Sequence, residues 1–144
     1  MDSALIVHHW DTDGMASAAL VARHLEERDV AWTNVTLPIG VFALGDEVRR
    51  EAEKVDHVYV VDLNLPDDAE ALSNPVTFAD HHVQRRIDAE HVEQINPLVE
   101  GFSSDAYPAA TWVLSDHLDR WDHLSALGPL GDRGKKVLAG PLGP

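Results

Sequence analysis

The run Val58-Tyr59-Val60-Val61, entered from His57 and closed by Asp62, constrains the fold most. It is too short for a buried helix and is β-branched or aromatic throughout, as a strand covered on both faces is. The segment Ala4 to His9 repeats this pattern, apolar until it ends in histidines. Gly14 to Arg28 follows it with Ala, Leu and Val at helical spacing and charges gathered at its end. Ala31 to Leu37 alternates, Gly45 to Lys54 reads as a polar amphipathic helix, and Pro66 to Leu72 opens with proline and acids as a helix N-terminus does. Val76 to Ala79 and Val92 to Ile95 supply two further short strands. Tyr107 to Leu118 and Trp121 to Leu127 read as helices, the first with Asp105 placed to cap it and Pro108 near its first turn. From Gly128 the tail is rich in Gly and Pro, and no internal repeat or interior linker is present. Alternating strands and helices predict one α/β domain over residues 1–144, a doubly wound, mostly parallel sheet with helices on both faces.

Histidine and aspartate fall where such a sheet binds ligands. His8-His9-Trp10-Asp11-Thr12-Asp13-Gly14 lies beyond the first strand and Asp62 at the end of the 57–62 strand. Asp80-His81-His82 closes the 76–79 strand, and Gly131-Asp132-Arg133-Gly134 reads as a glycine-flanked loop near the C-terminus. Ligands of open parallel sheets bind outside the carboxyl ends of the strands, so three of these clusters are expected on one edge. Each cluster alone reads equally well as a turn or a cap. Four independent turns explain the ordered set poorly. Carboxylates with a minority of imidazoles suit a hard divalent pair, Mn²⁺ first and Mg²⁺ second. Asp62 is the natural bridge between two cations, and Asp11 and Asp13 can point to different ones. Gly14 lets the backbone turn into the helix.

The four motifs, in this order, resemble those of the DHH phosphoesterases, which include RecJ-type single-strand exonucleases, oligoribonucleases, cyclic-dinucleotide phosphodiesterases and family II inorganic pyrophosphatases. The form His9-x-Asp11-x-Asp13-Gly14, followed by Met15-Ala16-Ser17-Ala18-Ala19-Leu20, looks most like archaeal RecJ-like proteins. The resemblance implies one metal held by His9, Asp11 and Asp62 and a second by Asp13, Asp62, His81 and Asp132. It implies that His82 faces the substrate phosphate, with Asp80 orienting the histidines. His8 should point to the opposite face of its strand from His9. Arg133 is a candidate phosphate contact, though pairing with one of the many acids is an equal alternative. The implied chemistry is two-metal phosphodiester hydrolysis, with Asp62, His82 and Asp80 as the catalytic group and single-stranded nucleic acid or oligonucleotides as substrate.

Other readings compete. A small-molecule phosphodiesterase or pyrophosphatase is one, although pyrophosphatases of this superfamily have a longer His-to-Asp spacing in the first motif. A non-catalytic replication scaffold is another, but such scaffolds tend to lose ligands that this chain keeps. Nothing here resembles the family's C-terminal substrate-binding domain, so the chain reads as a catalytic-domain fragment whose uncovered surface favours self-association or replication and repair partners. Trp10 offers a base-stacking surface but reads first as core packing, and Trp32, Trp112 and Trp121 read as structural.

Composition bears on the setting. With 25 acids against 11 Lys+Arg, the net charge is −14, which repels a polyanion in dilute salt. Between an ordinary acidic protein that binds no nucleic acid and one from a salt-rich cytoplasm, the scarcity of lysine and the even spread of acids favour the second, a halophilic archaeon. There, repulsion is screened within about 3 Å at 1 M salt. The absence of cysteine excludes disulfides and thiolate metal sites. The N-terminus has neither a basic n-region nor a cleavage-site pattern and no apolar run is bilayer-length, so a cytoplasmic protein without a membrane segment is expected.

Overall fold

A computed structural model describes residues 1–134. Its strands are β1 (Ser3–His9), β2 (Ala31–Leu37), β3 (His57–Val61), β4 (Val76–Ala79) and β5 (Val92–Ile95). Its helices are α1 (Thr12–Glu26), α2 (Asp46–Ala52), α3 (Pro66–Glu70), α4 (Ala110–Leu118) and α5 (His123–Arg133). The sheet order is β2-β1-β3-β4-β5 and every pairing is parallel. The expected mostly parallel sheet is therefore wholly parallel among the described residues. Lys135, Lys136 and the Gly/Pro-rich end of the chain lie outside them.

Alternation along the central strands builds two cores. Leu5, Val7, Val58, Val60, Val76 and Phe78 face α2 and α3, where Val48, Ala52, Ala69 and Leu72 meet them. Ala4, Ile6, Tyr59, Val61 and Ala79 face Leu20, Val21 and Leu25 of α1 and Leu114 of α4. Helices thus cover both faces, as a doubly wound sheet requires. The chain runs outward from β1 to β2 and, in the other direction, from β3 through β4 to β5. The order reverses between β1 and β3, so the crevice for a ligand opens above their carboxyl ends. None of the described helices is long and apolar enough to cross a membrane.

Three local expectations fail. Helix α1 begins at Thr12, not Gly14, because the Asp11 side chain accepts the Gly14 N–H at 2.8 Å and caps it. Asp105 does not cap α4, whose first amides instead donate to Asp13. Asp132 sits in the last turn of α5 and not in a glycine loop. That helix starts with a capping box between Asp122 and Ser125 and continues through Pro129. Proline leaves the carbonyl four residues back without its helical donor. Here that carbonyl is Ser125, and the Thr111 hydroxyl donates to it at 2.9 Å. A bond from α4 repairs the defect in α5.

Candidate metal centre

The carboxyl ends of β1, β3 and β4 bring His9, Asp62 and Asp80-His81-His82 to one crevice, and α1 and α5 add Asp13 and Asp132. Asp62 follows directly on β3 and adopts a left-handed backbone with φ 56°, a region that aspartate tolerates better than most residues. Its Oδ1 lies 3.2 Å from His81 Nε2, and its Oδ2 lies 3.7 Å from His9 Nδ1. His9 Nδ1 is also 3.0 Å from Asp11 Oδ2. His81 Nε2 is 3.4 Å from Asp13 Oδ2 and 3.5 Å from Asp132 Oδ2. The donor atoms therefore form one group of His9, Asp11 and Asp62 and another of Asp13, His81 and Asp132, with Asp62 facing both.

The site is acidic and largely buried. Burial, then the neighbouring charges of Asp13, Asp11 and Asp80, push the Asp62 carboxyl up to about 12. Burial, Asp13 and Asp11 likewise raise Asp132 to about 7. Burial would raise Asp11 too, but the Gly14 amide, Asp62 and His9 outweigh it and hold that carboxyl below its ordinary value. Burial lowers His81 against the pull of Asp13 and Asp80, favouring the neutral ring that ligates metals. Asp62 Oδ2 is buried without a hydrogen-bond partner. An orphaned oxygen among crowded carboxylates, with imidazoles and no thiolate, is the donor set of hard divalent cations, so these residues fit the implied metal pair.

His82 belongs to a third group, with Asp62, Asp80 and His81. Its Nδ1 lies 2.8 Å from Asp80 Oδ1, and that hydrogen bond raises the histidine above its ordinary value despite partial burial. Asp80 is fully buried and is held on its other oxygen by Gln84 Nε2 at 2.9 Å. His8 turns away from the centre: its Nε2 meets Asn34 Nδ2 and Thr36 Oγ1 of β2, while Nδ1 lies 2.8 Å from the His9 carbonyl. Arg133 takes the alternative arrangement, pairing with Asp105 Oδ1 at 3.1 Å and donating to the Ser104 carbonyl.

The same arrangement of strands recurs in solved structures. A RecJ exonuclease bound to manganese matches with a TM-score of 0.62 and 18% identity over 94% of this chain and 42% of that one. The chain has the RecJ-like DHH fold. An exopolyphosphatase-related protein from Bacteroides fragilis matches with a TM-score of 0.58 and 13% identity, over 92% of this chain and 46% of that one. CDC45 from Entamoeba histolytica matches with a TM-score of 0.60 and 11% identity, over 97% and 31% respectively. The chain thus spans less than half the length of each of these three relatives. No protein-family model and no curated protein matches it by sequence.

Some contributors to this site escape a reading of motifs. Asn96, just past β5, donates from Nδ2 to the His82 carbonyl at 2.8 Å and was open to the same strand-end rule. Gln84 is two residues beyond His82, and nothing in its spacing marks it. The amides of Ala110 and Thr111, which hold Asp13, carry no sequence signal because any residue supplies an N–H. Trp10, expected in the core, is 41% exposed, its ring tilted against His9 with centroids 5.4 Å apart. Trp32 and Trp121 are also partly exposed. Trp121 packs edge-on to Trp112, and the Trp32 indole donates to Glu26.

Proposed function

We propose that the chain is the metal-binding catalytic domain of a two-metal phosphodiesterase, acting on single-stranded nucleic acid or short oligonucleotides in the manner of a RecJ-like exonuclease. The observation that carries this reading is the position of Asp62, with one oxygen toward His81 and the other toward His9. In this assignment His9, Asp11 and Asp62 hold one divalent cation, and Asp13, Asp62, His81 and Asp132 hold the other, Mn²⁺ before Mg²⁺. Two cations in these groups supply Lewis-acid charge for phosphodiester hydrolysis, with no protein nucleophile required.

The chain's own residues do the rest. His82, kept protonated to higher pH by Asp80, presents a proton to a phosphate oxygen at the open side of the crevice. Asp80 cannot itself reach the substrate, being fully buried, and acts by fixing the His82 ring. Trp10, exposed beside His9, offers a surface on which a base can stack. Arg133 is engaged by Asp105, and a phosphate contact from it requires that pair to part.

The acidic composition supports a salt-rich, archaeal-type cytoplasm as the setting, where a net charge of −14 does not bar a polyanionic substrate. The test is Mn²⁺-dependent hydrolysis in high salt, comparing single-stranded DNA, RNA, dinucleotides and pyrophosphate. Hydrolysis of the polymers or dinucleotides supports the reading. Cleavage of pyrophosphate alone replaces it with a small-molecule enzyme.

A second reading draws on the CDC45 likeness. In it the domain is a replication scaffold, alone or self-associated. The ligand set present in this chain disfavours that role, and Mn²⁺ binding without hydrolysis of any phosphoester would favour it.

A further inference from the structure

Gly128 lies one helical turn before Asp132 on the same face of α5. A Cβ at this position would meet Thr111 Oγ1 and Asp13 Oδ1 inside any real contact distance, with Ala109 Cβ at 3.0 Å. Neither oxygen is free to yield. Asp13 is fully buried, its Oδ1 accepts the Thr111 N–H at 3.0 Å and its Oδ2 accepts the Ala110 N–H at 2.8 Å. Thr111 Oγ1 is committed to the Ser125 carbonyl. One turn on, a Cβ at Gly131 would stand 2.8 Å from Thr12 Cβ. Helix α5 therefore rests its bare backbone on side chains at the start of α1 and the start of α4.

From this seat we infer that Gly128 is a positioning residue for one of the two cations: it sets the depth of α5 and so the approach of Asp132 to Asp13 and His81. The inference rests on the two-cation reading. It adds that the two metal groups are held by separate devices. His9, Asp11 and Asp62 come from the ends of adjacent strands and the turn after β1, and none of them is among the atoms nearest a Cβ at Gly128. Asp13, His81 and Asp132 meet only if α5 lies in contact with the Asp13 carboxylate. A methyl group at Gly128 must either displace that carboxylate from its two amide donors or lift the helix. Either movement opens the second group and leaves the first intact.

The test is Mn²⁺ titration of the intact chain with calorimetry, together with the electron paramagnetic resonance spectrum of the loaded protein. Wild type should take up two ions and give the multiline spectrum of an exchange-coupled pair. Gly128→Ala should keep one ion at wild-type affinity, lose about 10–100-fold at the other, and give the spectrum of isolated Mn²⁺. Gly131→Ala, with the milder clash, should weaken the same ion by about 10-fold. Gly45→Ala, where a Cβ meets nothing within 4 Å, should change neither. A coupled pair at wild-type affinity in Gly128→Ala overturns the inference; if that variant does not fold, the same result in Gly131→Ala does so. Failure of the underlying reading looks different, because wild type itself would then bind one ion or none.

Discussion

Asp62 presents Oδ1 to His81 Nε2 at 3.2 Å and leaves Oδ2 buried without a hydrogen-bond donor. Such an oxygen is costly unless a cation takes it. Replacement by asparagine keeps the size of the side chain and tolerates the left-handed backbone, but removes the charge. Asp62→Asn should therefore fold, bind Mn²⁺ at least about 100-fold more weakly, and lose turnover in proportion. Mn²⁺ affinity by calorimetry checks this, and unchanged affinity counts against the bridging role.

Crowded carboxyls make metal binding a proton-releasing event. With Asp132 raised to about 7 and Asp62 to about 12, the folded chain without metal holds more protons than the unfolded chain above ordinary carboxyl pKa values. Its stability should fall as pH rises through that window. A cation displaces those protons, so the Mn²⁺-induced rise in melting temperature should be larger at about pH 8 than at about pH 6. A shift independent of pH would contradict the crowding of these groups.

Asp80→Asn separates orientation from charge. The hydrogen bond that the His82 ring donates to Asp80 is the largest cause of the raised His82 value. Asparagine keeps an acceptor for the ring but not the charge, which should move the alkaline limb of the pH–rate profile to lower pH and reduce the maximal rate by about 10–100-fold. An unshifted profile would remove His82 from the proton chemistry.

The bond that repairs α5 has a measurable worth. Thr111→Val deletes the hydroxyl that reaches the Ser125 carbonyl opposite Pro129. Leaving that buried carbonyl unpaired should cost about 1–3 kcal/mol in urea unfolding. A loss indistinguishable from zero would mean that the carbonyl finds another donor.

Charge makes the whole domain salt-responsive. At −14, raising KCl from about 0.1 M to about 2 M should raise the melting temperature by screening repulsion among exposed acids. A fall over that range would remove the basis for a salt-rich setting.

Much of this was legible in the primary structure, for physical reasons. Strands buried on both faces must be apolar throughout, so β1, β3 and β4 stood out, and their polar closing residues marked one edge. The edge strand β2 was visible through alternation, although only Val35 and Leu37 are buried along it. What stayed hidden depends on contacts between distant segments. The N-terminal amides of α4 find their acceptor in Asp13, nearly a hundred residues earlier, so the nearer Asp105 looked like the cap. Gly128 and Pro129 looked like the onset of a loop because local propensity opposes helix there. Packing of α5 on α1 and α4, with the Thr111 hydroxyl supplying the missing donor, overrides that propensity and carries Asp132 inward.

Anomalous diffraction from Mn²⁺-loaded crystals tests most directly whether two cations share Asp62. Two manganese peaks about 3.5–4 Å apart, one beside His9 and Asp11 and the other beside Asp13, His81 and Asp132, are the predicted result. A single peak, or manganese bound away from Asp62, would contradict it.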